Sequence, residues 1–404
     1  MPASKSVANR ELVLSAIAGG RSRLELGPLD PGDDVRAMRQ AISALGYGVE
    51  WDQLGHVTVS GQGSGAPTAS ATVNAGEAGT VARFVTALAA LGSGRVTIDG
   101  SPRLRERPIA PLLAALRSLG ATVDADALPV TVSGPLRGGA VDVPGGQSSQ
   151  FASALLLVGA RAQDGITVRI TGPLVSAPFV ALTISALKAR GVSVKLGAPN
   201  TYAIKPQKVK ARSLVIPGDA TAATYPAAAA AILGGEVTIE NIEARPRAGG
   251  QGDVRFFELI ERMGCTVSHG SGVTVKRRGP LYGINADVQD CSDVFPTLSV
   301  IAAFAEDPTE LAGIAHTRGQ ESDRVEAVAA GLRAIGCGAT AYADAIRIEP
   351  RPLRGGTIDA HGDHRIAMAF SVAGLQVPGV AIEGADSVTK TFPEFYGMLK
   401  ELSR

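Results

Sequence analysis

Aromatic side chains, cysteine and any excess of one charge are all scarce in this 404-residue sequence. Aromatics make up 4%, with one Trp. That leaves little for the stacked aromatic platforms on which single-stranded nucleic acid is held. The three cysteines, Cys265, Cys291 and Cys337, are odd in number and show no metal-ligand spacing, which argues against a disulfide framework or a thiolate metal site. Lys and Arg total 39 against 38 Asp and Glu, a net charge of +1. A general polyanion binder would show a basic excess or stripe, so any anion must be held by a local cluster. No apolar run reaches the roughly 18 residues of a membrane span. The start, MPASKSVANRELVL, lacks the apolar core of a signal peptide and is interrupted by Glu11. The expectation is a cytoplasmic protein, by default monomeric, with small anionic partners, no nucleic acid and no membrane.

What the sequence does have is a long internal repeat. An Ala-rich helix, a Gly turn and an alternating strand recur in LVLSAIAGGRSRLELG, FVTALAALGSGRVTIDG, FASALLLVGARAQDGITVRITG, YPAAAAAILGGEVTIENI, LSVIAAFAEDPTELAGI and AMAFSVAGLQVPGVAIEG. Leu26, Ile98, Ile170, Ile239, Ile314 and Ile382 mark the six strands, 68 to 75 residues apart. A second, amphipathic helix alternates with the first and runs into Gly46, Gly120, Gly191, Gly264 and Gly336, 71 to 74 residues apart. A sixth such helix, FPEFYGMLKEL, ends the chain. The period is too long for a common solenoid. Six βαβα-type units instead imply an α/β protein of two lobes with three units each, breaking near residues 216 to 225. The domains expected are residues 6–217 and 218–404, with residues 1–5 near the hinge. Cys265 and Cys337 occupy equivalent repeat positions and read as core residues at the start of buried strands.

The polar residues gather ahead of the Ala-rich helices. The six lead-ins are SKSVANRE, NAGEAGTVAR, GGQSSQ, PGDATAAT, DCSDVFPT and HGDHR. Singly, each reads as a helix cap, and Asp219 in GDATAAT is read that way. Six equivalent ones would place several helix N-termini on one face, where backbone N–H groups attract anions. Lys5, Arg10, Arg83, Arg107, Arg324, Arg365 and Lys390 all fall in these lead-ins or in RLRERPI, GQESDR and VTKTFPEF. Arg365, just after the capping pair Gly362 and Asp363, sits where the helix dipole disfavours a cation. A bound anion would offset that cost. The pattern implies a pocket for several anionic groups.

The motifs SKSVANRE, AGTVAR, RERPI, SSQF, GDA, ESDR, DHRIAMAF and KTFPEF also resemble, in order and spacing, those of the 5-enolpyruvylshikimate-3-phosphate synthase (3-phosphoshikimate 1-carboxyvinyltransferase) family. The resemblance covers essentially the whole chain. It implies a two-lobed inverse α/β barrel, each lobe of three βαβαββ units, with the active site in the cleft between lobes that close around the substrates. It implies transfer of the enolpyruvyl group of phosphoenolpyruvate to the 5-hydroxyl of shikimate 3-phosphate by addition and elimination. Phosphate is released, with no metal or organic cofactor, as a step towards chorismate and the aromatic amino acids.

The same resemblance supplies residue roles. Lys5 is similar to the lysine where both substrates meet, with a proton-transfer role. Ser6 and Arg10 resemble contacts to shikimate 3-phosphate. Gly79 and Thr80 resemble the lining of the phosphoenolpyruvate site, and Arg83 and Arg107 resemble ligands of its phosphate. Ser148, Ser149, Gln150 and Ser176 resemble the cradle of the shikimate 3-phosphate, with Gln150 shared between substrates. Asp293 resembles the base that takes the 5-hydroxyl proton, and Glu321 the acid or base at the phosphoenolpyruvate methylene. Arg324 and Arg365 resemble clamps for the carboxylate of phosphoenolpyruvate, and Lys390 a last phosphate ligand. The residue types suit the chemistry. Each substrate carries a phosphate and a carboxylate, which Arg matches bidentately, and the reaction needs an acid and a base. A carboxylate among cations has its proton affinity lowered, so the proton donor stays open between Glu321 and Lys5. Without the motifs, Asp293 would read as a helix cap and Glu321 as an i, i+3 partner of Arg324.

Some positions depart from the family pattern. Gln320 stands where a lysine commonly contacts shikimate 3-phosphate, Ala177 and Phe179 follow LVS, and Phe84 follows Arg83 where many members have Pro. Glyphosate, which occupies the phosphoenolpyruvate site in this family, is expected to inhibit. His364 reads as positioning Arg365. The family has a strand ahead of the motif at which this sequence starts, so a sheet position in the sixth unit is expected to be unpaired or filled from elsewhere. Four rivals stand beside this reading. An RNA-end-processing enzyme sharing the repeat fold is opposed by the lack of basic excess and of aromatic platforms. The related transferase acting on UDP-N-acetylglucosamine carries a reactive cysteine that GSPRLRERPI lacks. A transferase of the same fold with another alcohol acceptor is favoured by Gln320. A non-catalytic phosphometabolite-binding paralogue is opposed by Lys5, Asp293 and Glu321.

Overall fold

The computed structural model describes residues 1–63, 70–243 and 245–402. The chain divides into two compact units. The first is Ala3–Ile216 with Ala248–Gly250, and the second is Met1–Pro2, Pro217–Arg247 and Gln251–Arg404. Each has its own apolar core.

In the first unit the helices are α1 (Lys5–Ile17), α2 (Asp33–Ala44), α3 (Gly79–Ala89), α4 (Pro102–Glu106), α5 (Ala110–Ser118), α6 (Ser149–Gly159) and α7 (Ala177–Ala189). The Ala-rich α1, α3 and α6 pack on one another, with the amphipathic α2, α5 and α7 against them. Small residues explain the choice. Ala8, Ala16, Ala82, Ala87, Ala89 and Ala154 are buried almost completely, so the inner helices are covered on nearly all sides. Three four-stranded sheets complete the unit, in the orders Ser213–Val215, Gly19–Glu25, His56–Gln62, Gly48–Trp51; Ala71–Asn74, Val96–Asp99, Val130–Ser133, Thr122–Val123; and Gly139–Pro144, Ile166–Thr171, Thr201–Ile204, Lys195–Leu196. In each, the first pair is parallel and the rest antiparallel. The strand that heads the first sheet comes from the end of the unit, with Ser213 opposite Arg23.

The second unit repeats the plan with α8 (Thr224–Leu233), α9 (Arg255–Arg262), α10 (Phe295–Ala302), α11 (Arg324–Ala334), α12 (His364–Ala373) and α13 (Phe395–Leu402). Here α8, α10 and α12 form the inner group. One sheet has all four strands: Asn285–Asp287, Thr309–Ala312, Ala345–Glu349 and Gly338–Ala341. Among the described residues, the fourth repeat has three strands (Glu236–Glu240, Gly272–Lys276, Thr266–His269) and the sixth has two (Thr357–Asp359, Ala381–Glu383). Met1 and Pro2 lie at the fourth repeat: Asn241, just past its first strand, exchanges hydrogen bonds with Met1, and Pro2 accepts from the Asp219 N–H. Two repeat markers are also displaced. Leu26 follows its strand, and Ile314 lies two residues beyond Thr309–Ala312, because Gly313 takes a φ of 78° and turns the chain. Leu311 is the buried apolar residue of that strand, with Thr309 buried beside it on the same face.

The three cysteines are buried, and burial pushes the Cys265 and Cys337 thiols up to about 11 and the Cys291 thiol up to about 12. Glu11, the charge that interrupts the first apolar run, meets Arg190 at 2.7 Å inside the first unit. Arg190 also donates to the Ser15 and Ser22 hydroxyls, and both charged side chains are nearly inaccessible. Removing one partner of such a pair leaves an uncompensated charge. Glu11→Ala is expected to lose about 3–5 kcal/mol of stability, measured by denaturant unfolding. A loss under about 1 kcal/mol would show that the pair behaves as a surface one.

Candidate functional site

The polar lead-ins serve less as caps than their composition suggests. Side-chain caps occur at α6, where the Ser148 hydroxyl accepts from the Gln150 N–H, and at α12, where Asp363 accepts from the Arg365 N–H. No side-chain cap is made at α1, α3, α8 or α10. Asp219 instead closes the turn before α8 by accepting from the Ala222 N–H at 3.0 Å. Uncapped first-turn N–H groups keep their affinity for anions.

In the first unit, Lys5, Ser6 and Arg10 lie on the first two turns of α1. Lys5 Nζ is 2.9 Å from Asp34, a buried carboxylate on the first turn of α2. Asp34 did not emerge from the motifs, although the acidic pair Asp33–Asp34 at a helix start was its signal. Arg10 is 2% exposed, and its guanidinium donates to Thr183 Oγ1 at 2.8 Å and to the carbonyls of Ser6 and Phe179. It also stacks on the rings of Phe84 and Phe179. Every one of these partners is neutral, and burial holds its acidity near a pKa of about 9. That is still well above neutrality, so Arg10 is a buried cation for which an arriving anion is the natural counter-charge. The two phenylalanines that depart from the family pattern are therefore the walls of the Arg10 slot.

On α3, Arg83 donates to Gln150 Oε1 at 2.6 Å and to the Pro108 carbonyl at 2.7 Å. Arg107, at the end of α4, reaches the Glu77 carbonyl at 3.3 Å. A Cβ on Gly79 would stand 2.8 Å from Arg83 Nη1 and 3.0 Å from Arg107 Nη2. Two guanidiniums thus converge on the start of α3, and glycine leaves the space beside them open. Thr80 follows on the same turn, and Ser149 is buried on the first turn of α6. Ser176 precedes α7 in a left-handed conformation, φ 53° and ψ 43°. Such strain in a non-glycine residue collects at functional sites.

In the second unit Arg324, at the first position of α11, is the hub. It is 1% exposed. Its guanidinium meets Asp363 at 2.7 Å, Glu321 at 2.7 Å and Asp293 at 3.1 Å, and it also donates to Gln320 Oε1. Burial alone would lower its proton affinity, but Asp363, Glu321 and Asp293 together outweigh that and raise it. Asp293 lies in the 3-10 segment Gln289–Val294, which is kinked at Cys291, and its other oxygen takes Arg365 Nη2 at 2.7 Å. Asp293 thus bridges two arginines instead of capping α10. Lys390 Nζ is 3.9 Å from Glu321. His364 is fully buried, 3.6 Å from Asp363. Seven side chains, Asp293, Gln320, Glu321, Arg324, Asp363, Arg365 and Lys390, therefore form one linked network. Asp363, read only as a cap, also holds Arg324. His316 hydrogen-bonds Ser292 at 2.8 Å beside Asp293, and burial lowers its proton affinity.

Both clusters can hold phosphate and carboxylate groups, and the second also carries carboxylates able to take or give a proton. Gly79→Ala is expected to fold normally and to bind inorganic phosphate roughly ten-fold more weakly, on the scale of one misplaced methyl in a fitted site. Calorimetry reads this. Unchanged affinity would place the phosphate away from Arg83 and Arg107.

Among the described residues, no helix is long and apolar enough to cross a membrane. Residues 1–399 match the family model described as EPSP synthase (3-phosphoshikimate 1-carboxyvinyltransferase). A 3-phosphoshikimate 1-carboxyvinyltransferase of Methanosphaerula palustris is 39% identical over 98% of this chain and 95% of its own. One from a Nostoc species is 37% identical over 98% and 94%. A solved EPSP synthase from Acinetobacter baumannii superposes with a TM-score of 0.80 at 30% identity, covering 100% of this chain and 94% of its own. The enolpyruvyl transferase NikO from Streptomyces tendae shares the fold, with a TM-score of 0.73 at 17% identity over 100% and 93%. With the repeated units, the two cation clusters and near full-length identity well above 30%, the chain belongs to the EPSP synthase family.

Proposed function

We propose that this enzyme transfers the enolpyruvyl group of phosphoenolpyruvate to the 5-hydroxyl of shikimate 3-phosphate and releases phosphate. The observation that carries the reading is the pairing of Asp293 with Arg324 and Arg365, a carboxylate held between two buried guanidiniums. The family relationship extends over essentially the whole chain.

The residue roles follow from that reading. Arg83, Arg107, Gln150 and Lys390 bind the phosphate of phosphoenolpyruvate, with Gly79 and Thr80 leaving room for it. Arg324 and Arg365 receive its carboxylate, which replaces part of the carboxylate company they now keep. Arg10, with Ser6, Ser148, Ser149, Gln150, Ser176 and Gln320, holds shikimate 3-phosphate. Asp293 removes the 5-hydroxyl proton as the oxygen attacks the enol carbon. A proton reaches the methylene from Glu321 or Lys5. Supporting either role, Lys5 is paired with Asp34 and Glu321 with Arg324. The group that gave the proton then takes one back from the methyl of the tetrahedral adduct as the carbon–oxygen bond to phosphate breaks, which forms the enolpyruvyl ether and releases phosphate, whose charge the cations already balance. The three buried thiols, none of them in a disulfide, support a cytoplasmic setting.

Asp293→Ala is expected to lower turnover by about 10²–10⁴-fold, as loss of a general base does. Shikimate 3-phosphate binding should stay within a few-fold, because Arg10 and the serines remain. Phosphate release and calorimetry measure the two. Near-normal turnover would remove Asp293 from the chemistry, and lost binding with lost turnover would make it a substrate ligand only.

A further inference from the structure

Gln251-Gly252-Asp253 ties the start of α8 to the base. Gln251 donates to the Gly218 carbonyl at 2.8 Å and accepts from the Ala220 N–H at 3.1 Å. Asp253, in the 3-10 turn Gly252–Val254, takes the Thr221 hydroxyl on Oδ2. The turn packs directly against the Gln289–Val294 segment that carries Asp293. Asp253 is 4% exposed, and its Oδ1 has no hydrogen-bond partner. A buried carboxyl satisfied on one side only is a costly arrangement, and the role assignments above give it no task.

We propose that Asp253 is a positioning residue of this reaction, a buried carboxyl whose charge sets the proton affinity of Asp293. The inference rests on Asp293 being the base. Burial and the neighbouring Asp293 push the Asp253 carboxyl up to about 7, against the pull of Arg365 and of the Thr221 hydroxyl. The groups facing it are Thr221 and Asp219 ahead of α8, Asp293 and Cys291 on the adjoining turn, and Arg365 on α12. Arg255, at the start of α9, reaches the same turn through Cys291. Two carboxyls that repel one another titrate as a pair. Below about pH 7 Asp253 is neutral and leaves Asp293 to the arginines. Above it, its negative charge opposes their pull, so Asp293 binds a proton more firmly and is the stronger base. Arg365, attracted by both carboxylates, is held in place.

The test starts from the ligand-free protein. Carboxyl ¹³C NMR is expected to show one side chain titrating near pH 7. That signal should vanish in Asp253→Asn and move to lower pH in Asp293→Asn, where the repelling charge is gone. Thr221→Val should move it to higher pH, because the hydroxyl stabilises the charged form. In turnover, kcat should rise through an inflection near pH 7 by up to about ten-fold, the effect of one unit of base strength. Asp253→Asn should lack the inflection and stay at the low-pH rate. A titration that ignores Asp293→Asn, or an Asp253→Asn profile parallel to the parent's, overturns the inference. If the parent chain releases no phosphate while the coupled titration persists, the assigned reaction fails and the coupling stands.

Discussion

A guanidinium taken out of water must find negative charge or carbonyl oxygen, and most of the site is arranged around that requirement. Arg324 meets it with three carboxylates and an amide oxygen. Arg365 meets it with Asp293, and Arg83 with Gln150 and a backbone carbonyl. Arg10 meets it with neutral oxygens and two aromatic faces. The Ala-rich helices make such burial feasible. Small side chains let three inner helices pack closely, and the first-turn residues at their starts are consequently drawn in among neighbouring elements. Carboxylates neutralise the second cluster in the free protein, and its cations are ordered on folding. An anion arriving at such cations would meet groups already in place, which costs less than organising side chains on binding.

Much of this was legible in the sequence, because the repeat is strict and each copy carries its polar residues at the same point. The six helix–strand pairs and the α/β class followed from periodicity and spacing. Other features needed coordinates. Gly313 turns the chain early, so Ile314 fell outside its strand. The heading strand of the first sheet comes from residues 213–215, a long-range pairing no local pattern announces. Glu321 was open to two readings, partner of Arg324 or reacting group, and the 2.7 Å contact shows that the first describes its resting state.

Residues acting through others were the least visible. Asp34 looked like one more acid at a helix start, and nothing in the sequence says that its carboxylate reaches Lys5 across α1 and α2. Asp253 sits in QGD, a plain turn, and its interest arises only from burial beside Asp293. Asp363 was read as a cap and is one, but the same carboxylate also anchors Arg324. In each case the identity of the residue was unremarkable, and its three-dimensional neighbours gave it a task.

The central claim is that this chain transfers the enolpyruvyl group of phosphoenolpyruvate with shikimate 3-phosphate as acceptor. The most direct measurement is phosphate release from phosphoenolpyruvate by the purified chain, with and without shikimate 3-phosphate and with unphosphorylated shikimate as a control. Release that depends strictly on the phosphorylated acceptor is the result the account predicts. Binding of phosphoenolpyruvate without release in the presence of shikimate 3-phosphate would contradict it.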